Sequence, residues 1–170
     1  MATDSDSNEE TGIPGRDDLV VDGDGEVYRR ELEIERCCWS ICLFWNEYRV
    51  GHLYGIEGSP GIIHFNEVFL EDAQRLQETI LRRWIRKLLL RPPPTRNFRK
   101  RGLGAHLLPY FIEQARRRGI RRIEGKLTQS DLKNAPFLPD WYAKHGFRVT
   151  LMPTGRWAGE IALELQGKDE

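Results

Sequence analysis

The sequence predicts an α/β fold of the α+β kind, in which helices accompany a sheet that begins as an antiparallel meander. Three observations predict it. Apolar and polar residues alternate between about residues 28 and 70, apolar residues then recur every three or four positions in two segments, and alternation returns near the C-terminus. A chain of 170 residues suits one ordinary domain.

The N-terminal segment is predicted to be a disordered acidic tail. Residues 1–26 hold nine acidic side chains, one basic side chain and little apolar surface to offset the entropy of an ordered chain. The remainder carries 25 basic and 17 acidic residues, a net charge of +8, which suits an anionic ligand. We expect a single domain over residues 27–166 and a short C-terminal tail over residues 167–170.

The first half of the domain is predicted to be an antiparallel meander. Alternation begins at Tyr28 and continues through the apolar set Leu32, Ile34, Trp39, Ile41, Leu43 and Trp45. Asn46-Glu47 is typical of a hairpin turn, and it leads into a strand over Tyr48–Ile56. The Gly- and Pro-containing turn at residues 58–61 leads into a further strand near Ile62–Leu70.

Two helices are predicted from apolar residues spaced three or four positions apart. The first is a helix inserted over residues 72–90, whose apolar stripe comprises Leu76, Ile80, Leu81, Trp84, Ile85, Leu88 and Leu89. The second follows Gly104 and stops at Gly119. Pro109 lies inside it and predicts a kink or an early 3₁₀ turn.

The last third of the domain is predicted to contain a strand over Ile120–Leu127 and a loop that starts at Asn134. A short helix is expected over Asp140–Lys144, after two prolines. Strands over Phe147–Met152 and Trp157–Leu165 should then form a hairpin.

The stretch Arg99–Ala105 has the composition of a phosphate cradle. Gly102 and Gly104 allow the backbone to turn with its N–H groups exposed, and a helix is predicted to begin directly after them. The positive end of the helix dipole, unpaired first-turn N–H groups and three flanking cations all favour phosphate oxygens there. Taken alone, the stretch also fits a capped surface turn that binds nothing.

The order of these elements resembles the GNAT superfamily of acetyl-CoA-dependent N-acetyltransferases. Two motifs carry the resemblance: R-x-x-G-x-G at Arg99–Gly104, and Y-x-K-x-G-F at Tyr142–Phe147, in the family's order. The resemblance covers roughly residues 28–165. It implies a GNAT-like mixed, mostly antiparallel sheet with a central splay and helices on both faces. Two helices that the family has between its first two strands are missing, and the helix over residues 72–90 is an insertion.

The resemblance implies that acetyl-CoA binds in the splay as a co-substrate. The backbone N–H groups of the cradle would hold the coenzyme A pyrophosphate, with added charge from Arg99 and Arg101. The strand that ends at Leu70 would pair with the pantetheine arm. The implied coenzyme-binding residues are Leu70, Arg99, Lys100, Arg101, Gly102, Leu103, Gly104, Ala105 and Asn134, the last of which resembles the family's asparagine before its final helix.

Three side chains are candidates for proton transfer. An amine acceptor must lose a proton before it attacks the thioester, and the departing thiolate must gain one. The resemblance places Tyr142 beside the sulfur as the acid. His64 and Glu67 are alternative bases, and an unbroken strand would point them to opposite faces, so that at most one would face the slot. Each also fits a structural side chain with a satisfied hydrogen bond.

A second register stays open at this point. In this register residues 79–90 form the pantetheine strand and Glu78 becomes the candidate base, which avoids an inserted helix. The helical spacing of the apolar residues favours the first register.

The resemblance implies transfer of an acetyl group from acetyl-CoA to a primary amine of an unidentified small-molecule or peptide acceptor. The alternative is a non-catalytic module of the same fold that binds nucleic acid or a protein partner through its basic surface. The scattered histidines give no metal-binding constellation. Because the chain has no apolar run near ~18 residues and no N-terminal signal, we expect a cytoplasmic protein without a membrane partner, either a monomer or a homodimer.

Overall fold

The computed structural model describes residues 18–46, 48–71, 74–75, 88–89, 95–99, 101–152 and 155–165. Within these ranges the chain forms ten strands. They are β1 (Leu19–Val21), β2 (Val27–Glu35), β3 (Cys38–Trp45), β4 (Tyr48–Ser59), β5 (Ile62–Leu70), β6 (Gln74–Arg75), β7 (Thr95–Arg96), β8 (Arg122–Leu127), β9 (Arg148–Leu151) and β10 (Gly159–Glu164).

Eight of these strands form one sheet, in the order β1-β2-β3-β4-β5-β8-β10-β9. Among the described strands of this sheet, β5 and β8 alone run parallel, and the other neighbouring pairs are antiparallel. The predicted mixed, mostly antiparallel sheet is therefore confirmed, together with its meander and its C-terminal hairpin. Strands β2, β3, β4 and β5 follow one another through short connections, as expected, because the sequence leaves no room for helices between them.

Strand β1 lies before the predicted start of the domain at residue 27. Its residues pair antiparallel with the start of β2, and Val20 is buried. The prediction of a disordered tail is therefore wrong for residues 18–26. Their acidic composition concealed Asp22, whose buried charge is matched by a distant arginine, as described below. Residues 1–17 lie outside the described ranges, as do residues 166–170, which include the predicted C-terminal tail.

The described helices are α1 (Gly104–Arg117), α2 (Gln129–Asn134) and α3 (Leu138–Lys144). Helix α1 continues through Pro109, and its first turn contains the tight bond from Ala105 N–H to Gly102 O that a 3₁₀ turn has. Helix α2, which was not predicted, ends at Asn134, where the loop was expected to start, and it is stabilised by a capping box between Thr128 and Asp131. Helix α3 starts before the expected Asp140, because its proline stands in the first turn, where no N–H is needed.

The core lies between one face of the sheet and helix α1. The helix buries Leu107, Leu108, Phe111, Ile112 and Ala115. The Phe111 ring contacts the rings of Trp39 and Phe65, each with a centroid distance of 6.0 Å. Helix α3 packs on the same face, where Tyr142 contacts Phe65. Helices were expected on both faces, whereas the described residues show α1 and α3 on one. None of the helices in these ranges is long and apolar enough to cross a membrane.

The inserted segment leaves the sheet and returns at nearly the same place. Gln74–Arg75 and Thr95–Arg96 pair as a two-stranded sheet, and Phe98 N–H donates to Glu71 O at 2.9 Å. The predicted helix over residues 72–90 therefore does not include Gln74–Arg75. Leu88, which belongs to the predicted apolar stripe, is exposed. Residues 76–87 lie outside the described ranges.

Candidate active site

A turn at residues 101–104 presents backbone N–H groups at the start of α1. Gly102 has a φ of +78°, a conformation that residues with a side chain rarely adopt. Among the described residues, the N–H groups of Arg101, Gly102, Leu103 and Gly104 have no hydrogen-bond acceptor. No side chain caps the helix, and its first turn contains no acidic residue. These donors at the positive end of a helix dipole fit an anion such as phosphate.

The two ends of the predicted cradle are already hydrogen-bonded. Arg99 N–H donates to Asn97 Oδ1 at 2.8 Å, and Ala105 N–H donates to Gly102 O at 3.0 Å. Of the described residues in the cradle predicted over Arg99–Ala105, residues 101–104 thus keep N–H groups available for an anion.

The basic side chains that flank the turn contact the protein itself. Arg99 Nε donates to the carbonyl oxygen of Leu70 at 3.2 Å, which fixes the cradle beside the end of β5. Arg101 Nε lies 2.6 Å from Asp22 Oδ2, and the Arg101 side chain is 17% exposed. The expectation that Arg101 adds free charge for a phosphate is therefore wrong, because a buried carboxylate balances that charge. Lys100 lies outside the described residues.

Strands β5 and β8 pair only over the first four residues of each strand. The parallel register runs from Ile62 opposite Arg122 to Phe65 opposite Gly125, and the strands separate beyond it. Gly125 is required at this point, because a Cβ atom there would lie 2.8 Å from Phe65 O. The predicted central splay is confirmed. It lies beside Ile62–Leu70, as the first register requires. Of the alternative strand over residues 79–90, only residues 88–89 are among those described.

A β-bulge interrupts β5 at the splay. Phe65 lies opposite Gly55 on β4 and Glu67 lies opposite Tyr54, so Asn66 is an extra residue with no partner of its own on β4. Such a bulge shifts the side-chain alternation by one position.

The bulge brings His64 and Glu67 to the same face of the sheet. Phe65 points toward α1, and so does Val68, which lies opposite the buried Leu53. His64 and Glu67 both line one cavity on the other side. The expectation that these two side chains point to opposite faces is wrong, because it assumed an unbroken strand. On an unbroken strand Val68 would share a face with His64, but the bulge places it on the face of Phe65.

Each candidate base contacts a side chain on a neighbouring strand: the histidine contacts a glutamate, and the glutamate contacts a histidine. His64 Nδ1 lies 3.1 Å from Glu124 Oε1 on β8, directly across the parallel register. Glu67 Oε1 lies 3.0 Å from His52 Nε2 on β4, and the His52 ring stacks on Phe69. His52 was missed because histidines scattered along the sequence suggested no site. The register of the β4–β5 hairpin is the signal that could have found it.

The cavity beside the splay has a volume of about 710 Å³. Phe65 and Gly125 are among its walls, so it opens onto the point where β5 and β8 separate. Its charged or titratable lining residues are Glu67, Glu124, Asp131, Glu160, His64, Arg122, Lys126 and Arg148. Four carboxylates against three permanent cations suit a polar molecule that carries a positive charge.

Solved structures share this arrangement of strands and helices. Ribosomal-protein-S18-alanine N-acetyltransferase from Escherichia coli aligns with a TM-score of 0.52 over 81% of this chain and 76% of its own, at 16% identity. A GNAT-family acetyltransferase from Staphylococcus aureus aligns with a TM-score of 0.52 over 76% of this chain and 69% of its own, at 13% identity. The chain has the GNAT fold. PaiA N-acetyltransferase from Thermoplasma acidophilum, solved with coenzyme A, also aligns, with a TM-score of 0.50 over 75% of this chain and 60% of its own, at 12% identity.

The structural alignments establish the GNAT fold. Sequence identities this low establish nothing about the activity. No protein-family model matches the chain, and no curated protein matches it by sequence. Within the described ranges, no group of three or more His, Cys, Asp or Glu side chains could hold a metal ion.

Tyr142 lies on the helix face of the GNAT sheet, opposite the cavity. It is 5% exposed, and its ring contacts those of Phe65 and Phe147. Its hydroxyl has no hydrogen-bond partner among the described residues. Burial raises the pKa of Tyr142, and the negative charge of Asp131 raises it further. The phenol is therefore protonated at neutral pH.

The remaining predicted coenzyme residues differ in how the GNAT fold places them. Leu70 ends β5, where its side chain packs against the core and its carbonyl faces the Arg99 side chain. Asn134 ends α2, and its Nδ2 donates back to Ser130 Oγ at 3.3 Å. This contact directs the Asn134 amide toward its own helix, so we do not assign it to the coenzyme.

Proposed function

We propose that this chain is an acetyl-CoA-dependent N-acetyltransferase that acetylates a primary amine at the splay between β5 and β8. One observation carries the proposal. The N–H groups of residues 101–104, which have no acceptor among the described residues, closely follow Arg99. Arg99 Nε donates to the carbonyl oxygen of Leu70 at the end of β5, the strand that separates from β8 to leave a slot. An anion site and an open strand edge are thus adjacent, which suits a ligand with a phosphate group and an extended amide-containing arm.

The residues present fit coenzyme A. The N–H groups of residues 101–104 would hold the pyrophosphate, where the absence of a first-turn acid favours negative charge. The edge of β5 beyond Asn66, which β8 has left, would hold the pantetheine arm. When bound, acetyl-CoA supplies the acetyl group as a thioester.

We assign the base to Glu67, supported by His52. Glu67 lies beyond Phe65, where β5 has already separated from β8, and its side chain is 58% exposed. An incoming ammonium can therefore approach its carboxylate and lose a proton to it. His52 Nε2 holds one Glu67 oxygen and leaves the other accessible. His64 is a weaker candidate, because it stands where the strands are still paired and contacts Glu124.

We assign the acid to Tyr142. The phenol keeps its proton at neutral pH, and it can donate that proton to the sulfur as the carbon–sulfur bond breaks. The base and the acid would then act from opposite faces of the sheet. Glu67 would take the proton that the ammonium loses before attack, and Tyr142 would protonate the departing sulfur. The second proton, which the nitrogen releases as the amide forms, would return the phenolate to its acid form through solvent.

Two measurements test the proposal. Isothermal titration should show acetyl-CoA binding to the purified chain, and no heat even at high micromolar ligand would refute it. Free-thiol release from acetyl-CoA, measured over a panel of peptides, polyamines and aminoglycosides, should then identify the acceptor class. We expect cationic acceptors to be preferred, because carboxylates outnumber cations around the cavity.

The nucleic-acid alternative is less well supported by the described residues. The basic run at the C-terminal end of α1 is engaged within the chain: Arg116 and Arg117 contact Glu113, and Arg118 contacts Gln114. Arg82, Arg83, Arg86 and Lys87, on which the alternative also depends, lie outside the described ranges. A mobility shift at low salt that weakens steeply as salt rises would favour this alternative over the enzyme.

A further inference from the structure

A buried carboxylate lies directly beside the cradle. The Asp22 side chain has no exposed surface, and both of its oxygens accept hydrogen bonds. Oδ1 accepts from the N–H groups of Asp24 and Glu26, at 2.9 and 3.0 Å. Oδ2 accepts from the Tyr28 hydroxyl and from Arg101 Nε, both at 2.6 Å.

This carboxylate is ionised and needs its arginine. Burial alone would raise the pKa of Asp22, but the hydrogen bonds from Tyr28, Arg101 and the two backbone N–H groups outweigh burial and hold it well below its ordinary value. A buried charge without a partner is strongly destabilising, so the position of Arg101 is fixed by the position of Asp22. The second Arg101 contact, from Nη2 to Asp24 at 2.7 Å, lies at the surface.

The Asp22–Arg101 ion pair anchors the cradle at Arg101, the residue directly before Gly102. Gly102 has a positive φ, and no atom lies within 4 Å of where its Cβ would be. No described residue therefore packs against Gly102 itself. Arg101 is anchored to Asp22 on one side of the glycine, and the fully buried Leu103 is anchored in the core on the other.

We propose that Asp22 is a positioning residue for the coenzyme site. Acting through Arg101, it holds the N–H groups of residues 101–104 in the arrangement that binds the pyrophosphate. Asp22, which directly follows strand β1, thus supports coenzyme binding, although it does not contribute a donor to the anion. The ligand in this inference rests on the proposed function.

The direction in which Asp22→Asn changes anion affinity distinguishes a positioning role from a charge effect. If Arg101 contributed mainly its charge to the phosphate, Asp22→Asn would remove a neighbouring negative charge and leave anion binding unchanged or tighter. If Asp22 positions the turn, the same substitution weakens binding, because donors that are not held in place must be ordered when the ligand binds.

The experiment is isothermal titration of coenzyme A into wild type, Asp22→Asn and Asp24→Asn. Asp24 is the matched control, since it contacts the same guanidinium but its side chain is 72% exposed. We expect Asp22→Asn to raise Kd at least about tenfold and Asp24→Asn to change it less than about twofold. A Kd for Asp22→Asn equal to or below that of wild type overturns the inference.

A second readout excludes a merely structural role. S-acetylpantetheine carries the thioester but no phosphate, so it does not use the cradle. Its kcat/KM should be the same in Asp22→Asn and wild type, while KM for acetyl-CoA rises and kcat changes little. If kcat/KM falls by the same factor with S-acetylpantetheine and with acetyl-CoA, Asp22 stabilises the whole fold and the inference fails.

A milder variant and a ligand-free measurement keep the test decisive if Asp22→Asn folds poorly. Tyr28→Phe removes one of the hydrogen bonds to Asp22 and should raise Kd in the same direction by a smaller factor. In either variant without ligand, hydrogen exchange of the Ala105 amide, which is bonded to Gly102 O, should quicken relative to Phe111 in the middle of α1. Unchanged exchange at Ala105 refutes the positioning role, whereas a wild type that does not bind coenzyme A refutes the proposed function.

Discussion

Replacing Tyr142 by phenylalanine removes a single oxygen atom from the candidate site. The ring keeps its contacts with Phe65 and Phe147. Because the hydroxyl has no hydrogen-bond partner among the described residues, its loss leaves no buried polar group unpaired in that part of the chain. We therefore expect the free energy of unfolding to change by less than about 0.5 kcal/mol. If Tyr142 is the acid, kcat should fall by about 10²–10⁴, or about 2.7–5.4 kcal/mol in activation free energy.

The assay is thiol release from acetyl-CoA with the best acceptor, together with coenzyme titration and urea unfolding of each variant. Tyr110→Phe is the matched control. Tyr110 is also a helical tyrosine, but it lies under the Arg30 guanidinium, on a part of α1 that does not line the cavity. Coenzyme affinity should be nearly unchanged in both variants. A kcat for Tyr142→Phe within about twofold of wild type would remove the acid role.

The pH profile gives an independent check on Tyr142. Its pKa is raised above the ordinary value of about 10, so the acid form is present at every pH below that. Wild-type kcat should therefore show no fall below about pH 10 that is due to ionisation of Tyr142. A descending limb near pH 8–9 that disappears in Tyr142→Phe would contradict both the raised pKa and its cause.

Three further predictions concern other parts of the site. Gly104→Glu should abolish coenzyme binding by titration, because a carboxylate would enter the anion site. Gly104→Ala, whose Cβ would lie 3.6 Å from Trp141, should fold normally, and a folded Gly104→Glu with normal affinity would place the coenzyme elsewhere. Glu67→Gln should lower kcat by about 10²–10⁴. If His64→Gln has the larger effect, the base is misassigned. The stability that Asp22 contributes should be complete above about pH 4 and be lost as pH falls toward its lowered pKa. The free energy of unfolding of wild type and Asp22→Asn, measured with urea between pH 7 and 2, checks this. A difference between the two proteins that stays the same at every pH would contradict the prediction.

Local patterns in the sequence predicted most of the fold. Strand β5 was predicted at Ile62–Leu70 and is observed there, because glycine and proline mark its turn and its apolar residues are dense. Helix α1 was predicted from the spacing of Leu107, Phe111 and Ala115, which face the core. The glycine turn before α1 was also visible, since a positive φ at Gly102 calls for that residue type.

The composition of the chain was less informative where a charge is paired at long range. Residues 18–26 have the acidic composition of a disordered tail, yet Asp22 is buried because Arg101, 79 positions later, neutralises it. Composition counts charges without their partners, so it could not distinguish a solvated acid from a buried ion pair.

The sequence by itself determined strands β2 to β5, strand β8, the C-terminal hairpin and helix α1, and it placed a glycine turn directly before that helix. It did not determine β1 or α2. Tertiary structure alone decided which side chains share the site. The bulge at Asn66 put His64 and Glu67 on one face, and the β4–β5 register put His52 beside Glu67. The physical reason is that alternation assigns a face only while pairing is regular, and the position of a bulge depends on the partner strand.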